Sequence, residues 1–163
     1  MRLYFLPARS SQIAAGYSLV ELLVVIGILV LIAALSYSAY VAMLQHKTLD
    51  ADGALIVAEL SQARSLTLSG ESGDQWGVHF ASTSVTLFEG ASYSAGASGN
   101  VVTSFDSADS LFSITLAGGG SDVLFQRLTG ETAQSGAITL ALVASSTQTK
   151  TVTIYPTGIA EIQ

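Results

Sequence analysis

Polar and apolar positions along this 163-residue chain fall into three successive patterns. The first opens at Leu22 and closes with Leu44, 23 residues without a charged side chain and dominated by Leu, Val, Ile and Ala. At about 1.5 Å per residue it would rise roughly 34 Å as a helix, enough to cross a bilayer core of about 30 Å. Ahead of it stand Arg2 and Arg9, with no acid before Glu21. Lys and Arg favour the cytoplasmic side, so this arrangement predicts a single-pass anchor with the N-terminus inside and the remainder outside.

The second pattern is amphipathic. Leu49, Gly53, Ile56, Val57, Leu60, Ala63 and Thr67 recur at spacings of three and four, one face of a helix, while Asp50, Asp52, Glu59, Gln62 and Arg64 occupy the other faces. Ser69-Gly70, followed by Glu71-Ser72-Gly73-Asp74, ends it. One helix is therefore expected over about 18–68. Beyond Gly73 the period falls to two, and runs rich in Val, Ile, Thr, Phe and Tyr predict strands at 76–80, 84–89, 101–105, 111–116, 123–127, 137–143, 150–155 and 159–162. Ala81-Ser82-Thr83 reads as a tight hairpin connection. Pro156-Thr157-Gly158 suits a turn with Pro second and Gly fourth, and Gly118-Gly119-Gly120-Ser121 another turn. The Gly/Ser/Ala-rich segment 92–100 reads as a flexible loop.

Composition sharpens this picture. Half of the residues are apolar, 11% are charged, the mean hydropathy is +0.54 and cysteine is absent. Ordinary soluble domains are about 25% charged. So apolar a chain is not disordered, and without cysteine it can form neither disulfide staples nor a Cys-ligated zinc site. The apolar excess is concentrated in the first pattern, which leaves a Ser/Thr/Gly-rich β domain.

Three readings of the N-terminus compete: a simple signal anchor, a removable secretory signal and a prepilin signal. A secretory signal has an apolar region of about 7–15 residues before a small-x-small site. Here the run is longer, with only Ser36-Tyr37-Ser38 as a mediocre site. The preceding residues, Gly16-Tyr17-Ser18-Leu19-Val20-Glu21-Leu22-Leu23-Val24-Val25-Ile26, resemble instead the signal of type IV prepilins and type II secretion pseudopilins. Tyr17 stands where Phe is commoner.

That resemblance implies removal of a leader, residues 1–16, by a prepilin peptidase cutting between Gly16 and Tyr17, followed by N-methylation of Tyr17. It implies an α+β pilin fold: a spine helix, transmembrane over 17–44 and amphipathic over 45–69, packed on an antiparallel β-sheet head at 70–163. Within the family the chain is most similar to H-type pseudopilins and FimT-type minor pilins, on Leu60, Ala63-Arg64, Trp76-Gly77-Val78 and the closing hairpin Val152-Thr153-Ile154-Tyr155 to Gly158-Ile159-Ala160. Major pilins usually carry a C-terminal disulfide loop, impossible here. The implied partners are other pilins or pseudopilins through the spine, the peptidase, membrane lipid and an inner-membrane assembly machine. The implied role of Glu21 is to neutralise the N-terminal amine of a neighbouring subunit. Independently of the family, an acid in front of an uncharged span is costly to bury. One turn into a helix it would also suit the helix dipole.

Candidate chemistry in the head is sparse. His79 in a strand reads as half-exposed, His46 as a polar residue at the membrane boundary, and no nucleophile-elbow pattern supports a Ser/His hydrolase. The triple glycine lacks the Lys of a phosphate-binding loop. Asp106, Asp109 and Asp122 read as solvated loop acids, because the alternating calcium loop is missing. Trp76 reads as a packing anchor. No cofactor or metal is expected. Without residues 1–16 the chain has 4 basic and 12 acidic side chains, net −8, which disfavours nucleic acid as a partner. A tethered binding module or adhesin that never polymerises is the alternative.

Overall fold

The computed structural model describes residues 16–70, 73–143 and 145–163. Apart from Gly16, the expected leader with Arg2 and Arg9 lies outside the described residues, as do Glu71 and Ser72 of the expected helix-ending turn. The protein is α+β: the described residues form one helix, α1 (Leu19–Ser69, 51 residues), then eight strands in two antiparallel sheets. The chain divides into two compact units, one ending at Tyr40 and one running from Val41 to Gln163.

In the first unit, α1 starts where the Ser18 carbonyl accepts the Leu22 amide at 3.0 Å. Its stretch Leu19–Tyr37 is long and apolar enough to cross a membrane, and none of it is buried within the protein. The Ser36 hydroxyl turns back onto the Ile32 carbonyl at 2.9 Å, which satisfies it inside the helix. That is the usual solution for a hydroxyl in an apolar setting.

In the second unit, the predicted amphipathic face is realised. Leu49, Ile56, Leu60 and Ala63 of α1 enter one core. Gly70 ends the helix, its amide bonding the Leu66 carbonyl. The Thr67 hydroxyl accepts the Trp76 amide at 2.9 Å, joining the helix end to the first strand.

The first sheet contains β1 (Trp76–Ala81), β2 (Ser84–Glu89), β3 (Val101–Ser104) and β5 (Asp122–Leu124), in the order β3-β2-β1-β5. The second contains β4 (Asp109–Leu116), β6 (Gly136–Leu142), β7 (Ser145–Ile154) and β8 (Ala160–Ile162), in the order β4-β6-β7-β8. The head is thus built from two sheets where one was expected. Val78, Phe80, Val85 and Leu87 of the first meet Ile138, Leu140, Val152 and Ile154 of the second in the same core as α1.

All eight expected strands are present, β2 with the expected bounds and the others with shifted ends. The expected 123–127 strand stops at Leu124, because Leu128 takes a left-handed conformation (φ 74°) and the chain loops back, with Gln126 N bonding Glu131 O. β7 begins at Ser145, five residues before the expected start. The Ser82-Thr83 hairpin forms between the paired ends Ala81 and Ser84. The Pro156 turn closes with Gly158 N on Tyr155 O at 2.9 Å.

Three polar residues on the other faces of α1 find partners in the head. Asp52 is 6% exposed and accepts the Asp106 amide at 2.9 Å. Glu59 is half-buried and accepts the Thr103 hydroxyl at 2.8 Å, and Arg64 Nε donates to the Gly130 carbonyl at 3.0 Å. In each case a loop or edge strand folds over the flank of the helix and needs a polar partner there.

Candidate functional site

The sequence singled out the start of α1, and its geometry is simple. Tyr17, Glu21, Leu22 and Val25 line a shallow groove of about 320 Å³. Residues 21 and 25 are one helical turn apart and share a face, and Tyr17, just ahead of α1, lies against them. Tyr17 is 84% exposed, and thirteen Leu, Val and Ile side chains between Leu19 and Leu35 are exposed as well. Burying that many apolar side chains is worth on the order of 20–40 kcal/mol at about 1.5–3 kcal/mol each. That exceeds the whole stability of an ordinary domain, about 5–15 kcal/mol. Such a surface is costly to leave in water.

Glu21 is the acid of the first turn of α1. With Ser18 at the helix cap, Ser18-Leu19-Val20-Glu21 has the Ser-x-x-Glu spacing of a capping box. This local role needs hydrogen bonding and no charge. Pairing with an amine needs the charge, so the two can be separated by experiment.

In the first sheet, antiparallel register sets His79 opposite Asp122, and the imidazole Nδ1 lies 2.6 Å from the Asp122 carboxylate. Tyr93 stacks flat on the ring, with centroids 3.8 Å apart and planes within 3°, and Phe88 meets Tyr93 edge-on at 5.6 Å. The segment expected to be a flexible loop is therefore tied down on the outer face of the sheet. The signal for this was the alternation in Ser84–Glu89: Val85 and Leu87 point one way, and Thr86 and Phe88 are buried on the other. An apolar Phe on the second face requires a cover. His79 is half-exposed, as read from the sequence. The His-Asp contact is two-thirds of a hydrolytic triad, yet among the described residues no hydroxyl is placed on the other ring nitrogen.

The three aspartates read as solvated behave differently from one another. Asp106 is exposed and its carboxylate caps the Ala108 amide at 2.9 Å. Asp122 is engaged by His79. Asp109 is 1% exposed, and burial, followed by the nearby Asp52 carboxylate, pushes its titration up to about 6. The expectation of a solvated loop acid fails at Asp109, because it opens β4 beneath α1 and does not sit in a loop. Among the described residues, no three His, Cys, Asp or Glu side chains group as metal ligands.

A second groove, of about 310 Å³, lies between α1 and β7, lined by His46, Asp50, Gln148 and Lys150 among others. Lys150 Nζ pairs with Asp50 at 2.9 Å across it and holds the Asp50 titration below the usual carboxylate value. Trp76 packs against the core, with its indole nitrogen buried and unpartnered. Gly118-Gly119-Gly120 is a turn between β4 and β5, closed by Gly119 N on Leu116 O at 3.0 Å.

No family model, curated protein or solved structure matches this chain.

Proposed function

We propose that this chain is a pilin-like structural subunit, a pseudopilin or minor pilin of a type II secretion pseudopilus or type IV pilus. It is cut between Gly16 and Tyr17 by a prepilin peptidase, methylated on Tyr17, stored in the cytoplasmic membrane and assembled into a helical filament. The observation that carries this reading is the start of α1: thirteen exposed apolar side chains in one unbroken stretch, with a single carboxylate, Glu21, on the first turn. The sequence signal around Gly16 supplies the family to which such a helix would belong.

The chemistry follows from exchanging one apolar environment for another. In the stored state the helix face is solvated by acyl chains. In the filament the same face packs on neighbouring helices, so the hydrophobic term nearly cancels and specificity falls to the polar group. A lone carboxylate inside a helix bundle is strongly unfavourable, and a neighbour's amine relieves it. Register along the fibre is then fixed by that pair, and head-to-tail repetition that does not close yields an open filament. The work of extraction falls to the assembly machine.

The test uses Glu21→Gln and Glu21→Ala in cells that carry the assembly system. Gln retains the hydrogen-bonding role at the third helical position but removes the charge. Both variants should insert in the membrane and be cut, as read by N-terminal sequencing that finds methylated Tyr17 in the parent chain. Both should fail to assemble. Normal assembly of Glu21→Gln would refute the charge-pairing mechanism. An uncut chain that begins at Met1 and stays monomeric would refute the subunit reading and leave a tethered module.

A further inference from the structure

Asp109 is the first residue of β4, is 1% exposed, and neither of its carboxylate oxygens has a hydrogen-bond donor. The groups that act on it are the Asp52 carboxyl and Thr48 hydroxyl of α1, and Asp106 of the segment between β3 and β4. Of these only the Thr48 hydroxyl favours the ionised form, and its proton is directed to the Gln45 carbonyl at 2.9 Å. From β6, the residue opposite Asp109 is the buried Leu142. Among the described residues no Lys, Arg or His contributes to its surroundings.

Asp52 and Asp109 are thus two buried acids close enough for the carboxyl of one to act on the other, and among the described residues no cationic side chain acts on Asp109. Two ionised carboxylates are both acceptors and repel. One added proton turns the same contact into a hydrogen bond and removes a buried charge. The place matters as much as the chemistry. Segment 105–108 carries the chain from the first sheet to the second, with Phe105 N on Thr83 O at one end and Val143 N on Ala108 O at the other. In its middle, Asp106 N bonds Asp52.

We propose that Asp52 and Asp109 share one proton and so clasp α1 to the crossover between the two sheets, and that loss of this proton loosens the clasp. The raised titration of Asp109 agrees with this and puts release near pH 6. The sign is fixed by linkage. The folded state holds a proton that an unfolded Asp gives up near 3.8, so stability is greatest below that value and declines as the pH rises through about 6. A divalent cation is the other way to neutralise two such acids. Among the described residues no third side chain completes a metal site with them, which favours the proton.

The experiment is urea unfolding of the full chain in detergent micelles between about pH 3 and about pH 7, an interval that brackets the unfolded value of 3.8 and the folded value of about 6 for Asp109. The parent chain should show its unfolding constant rising on the order of 10- to 100-fold across this interval. Asp109→Asn supplies an amide donor to Asp52 without a proton and should flatten the dependence. Asp52→Asn is the second variant, should the first not fold. Its amide donates to Asp109 and its carbonyl still accepts Asp106 N, so it should move the dependence to lower pH. A protonated-carboxyl infrared band, persisting where exposed carboxyls are ionised, should be present in the parent and absent in Asp109→Asn. An unchanged pH dependence in Asp109→Asn would overturn the proposal. So would added calcium or magnesium abolishing the dependence in the parent chain.

Discussion

Replacing Gly158 by alanine tests whether the far end of α1 is held by a close backbone approach. Gly158 closes the turn after Tyr155 with φ of 77°, a left-handed conformation. An added Cβ would overlap the carbonyl oxygen of Gly130 and come within 3.1 Å of Arg64 Nε. That same Gly130 oxygen is the acceptor for Arg64 at 3.0 Å. Two costs therefore combine. The left-handed conformation costs an L-residue about 1–2 kcal/mol. Driving the Gly130 carbonyl aside removes a hydrogen bond from a charged donor, about 1.5–3 kcal/mol. The expected loss is about 2.5–5 kcal/mol, a large part of an ordinary domain's stability.

Gly118→Ala is the internal control. It has φ of 83°, but nothing lies within 4 Å of its added Cβ. It should lose only the conformational part, about 1–2 kcal/mol. Urea unfolding of both variants in detergent, with the slope held common, gives the difference directly. Equal losses for the two would refute the close-approach argument. So would a Gly158→Ala cost that is unchanged in an Arg64→Ala background, since coupled neighbours should not be additive.

Ile56→Ala removes a fully buried side chain where α1 meets both sheets and should cost about 2–5 kcal/mol in the same unfolding assay. Leu128→Ala, at a position 92% exposed, should shift it by no more than about 0.5 kcal/mol. Lys150→Met should return the depressed Asp50 titration to the ordinary carboxylate value of 3.8, read by NMR. In the parent chain this ion pair contributes above that value and is lost as the pH falls through the lower folded one. Tyr93→Ala strips the stacked cover from His79 and Phe88. Hydrogen exchange should accelerate at Ala97 and Asn100, whose amides bond within that loop, while the core strands stay protected.

Much of the architecture is legible in the sequence because its signals are local. The 3.6-residue spacing of Leu49, Ile56, Leu60 and Ala63 and the alternation within Ser84–Glu89 depend on nothing beyond neighbouring residues. The same holds for Pro156 and Gly158 in their turn. The partners of the polar flank of α1 are not legible, because a helical wheel reports only which residues share a face. Asp52, Glu59 and Arg64 find partners at Asp106, Thr103 and Gly130, which are 44 or more positions away in sequence. No local pattern encodes such a meeting.

The sequence alone determined the elements: an apolar helix that needs an environment other than water, an amphipathic continuation, eight strands, and a carboxylate placed at the start of the helix. Only the tertiary structure decided that the strands form two sheets, that Tyr93 covers His79, and that Asp109 is buried against Asp52. The reason is physical. Periodicity records which face of an element is apolar, whereas the pairing of strands and the desolvation of a carboxylate depend on which distant segment covers it.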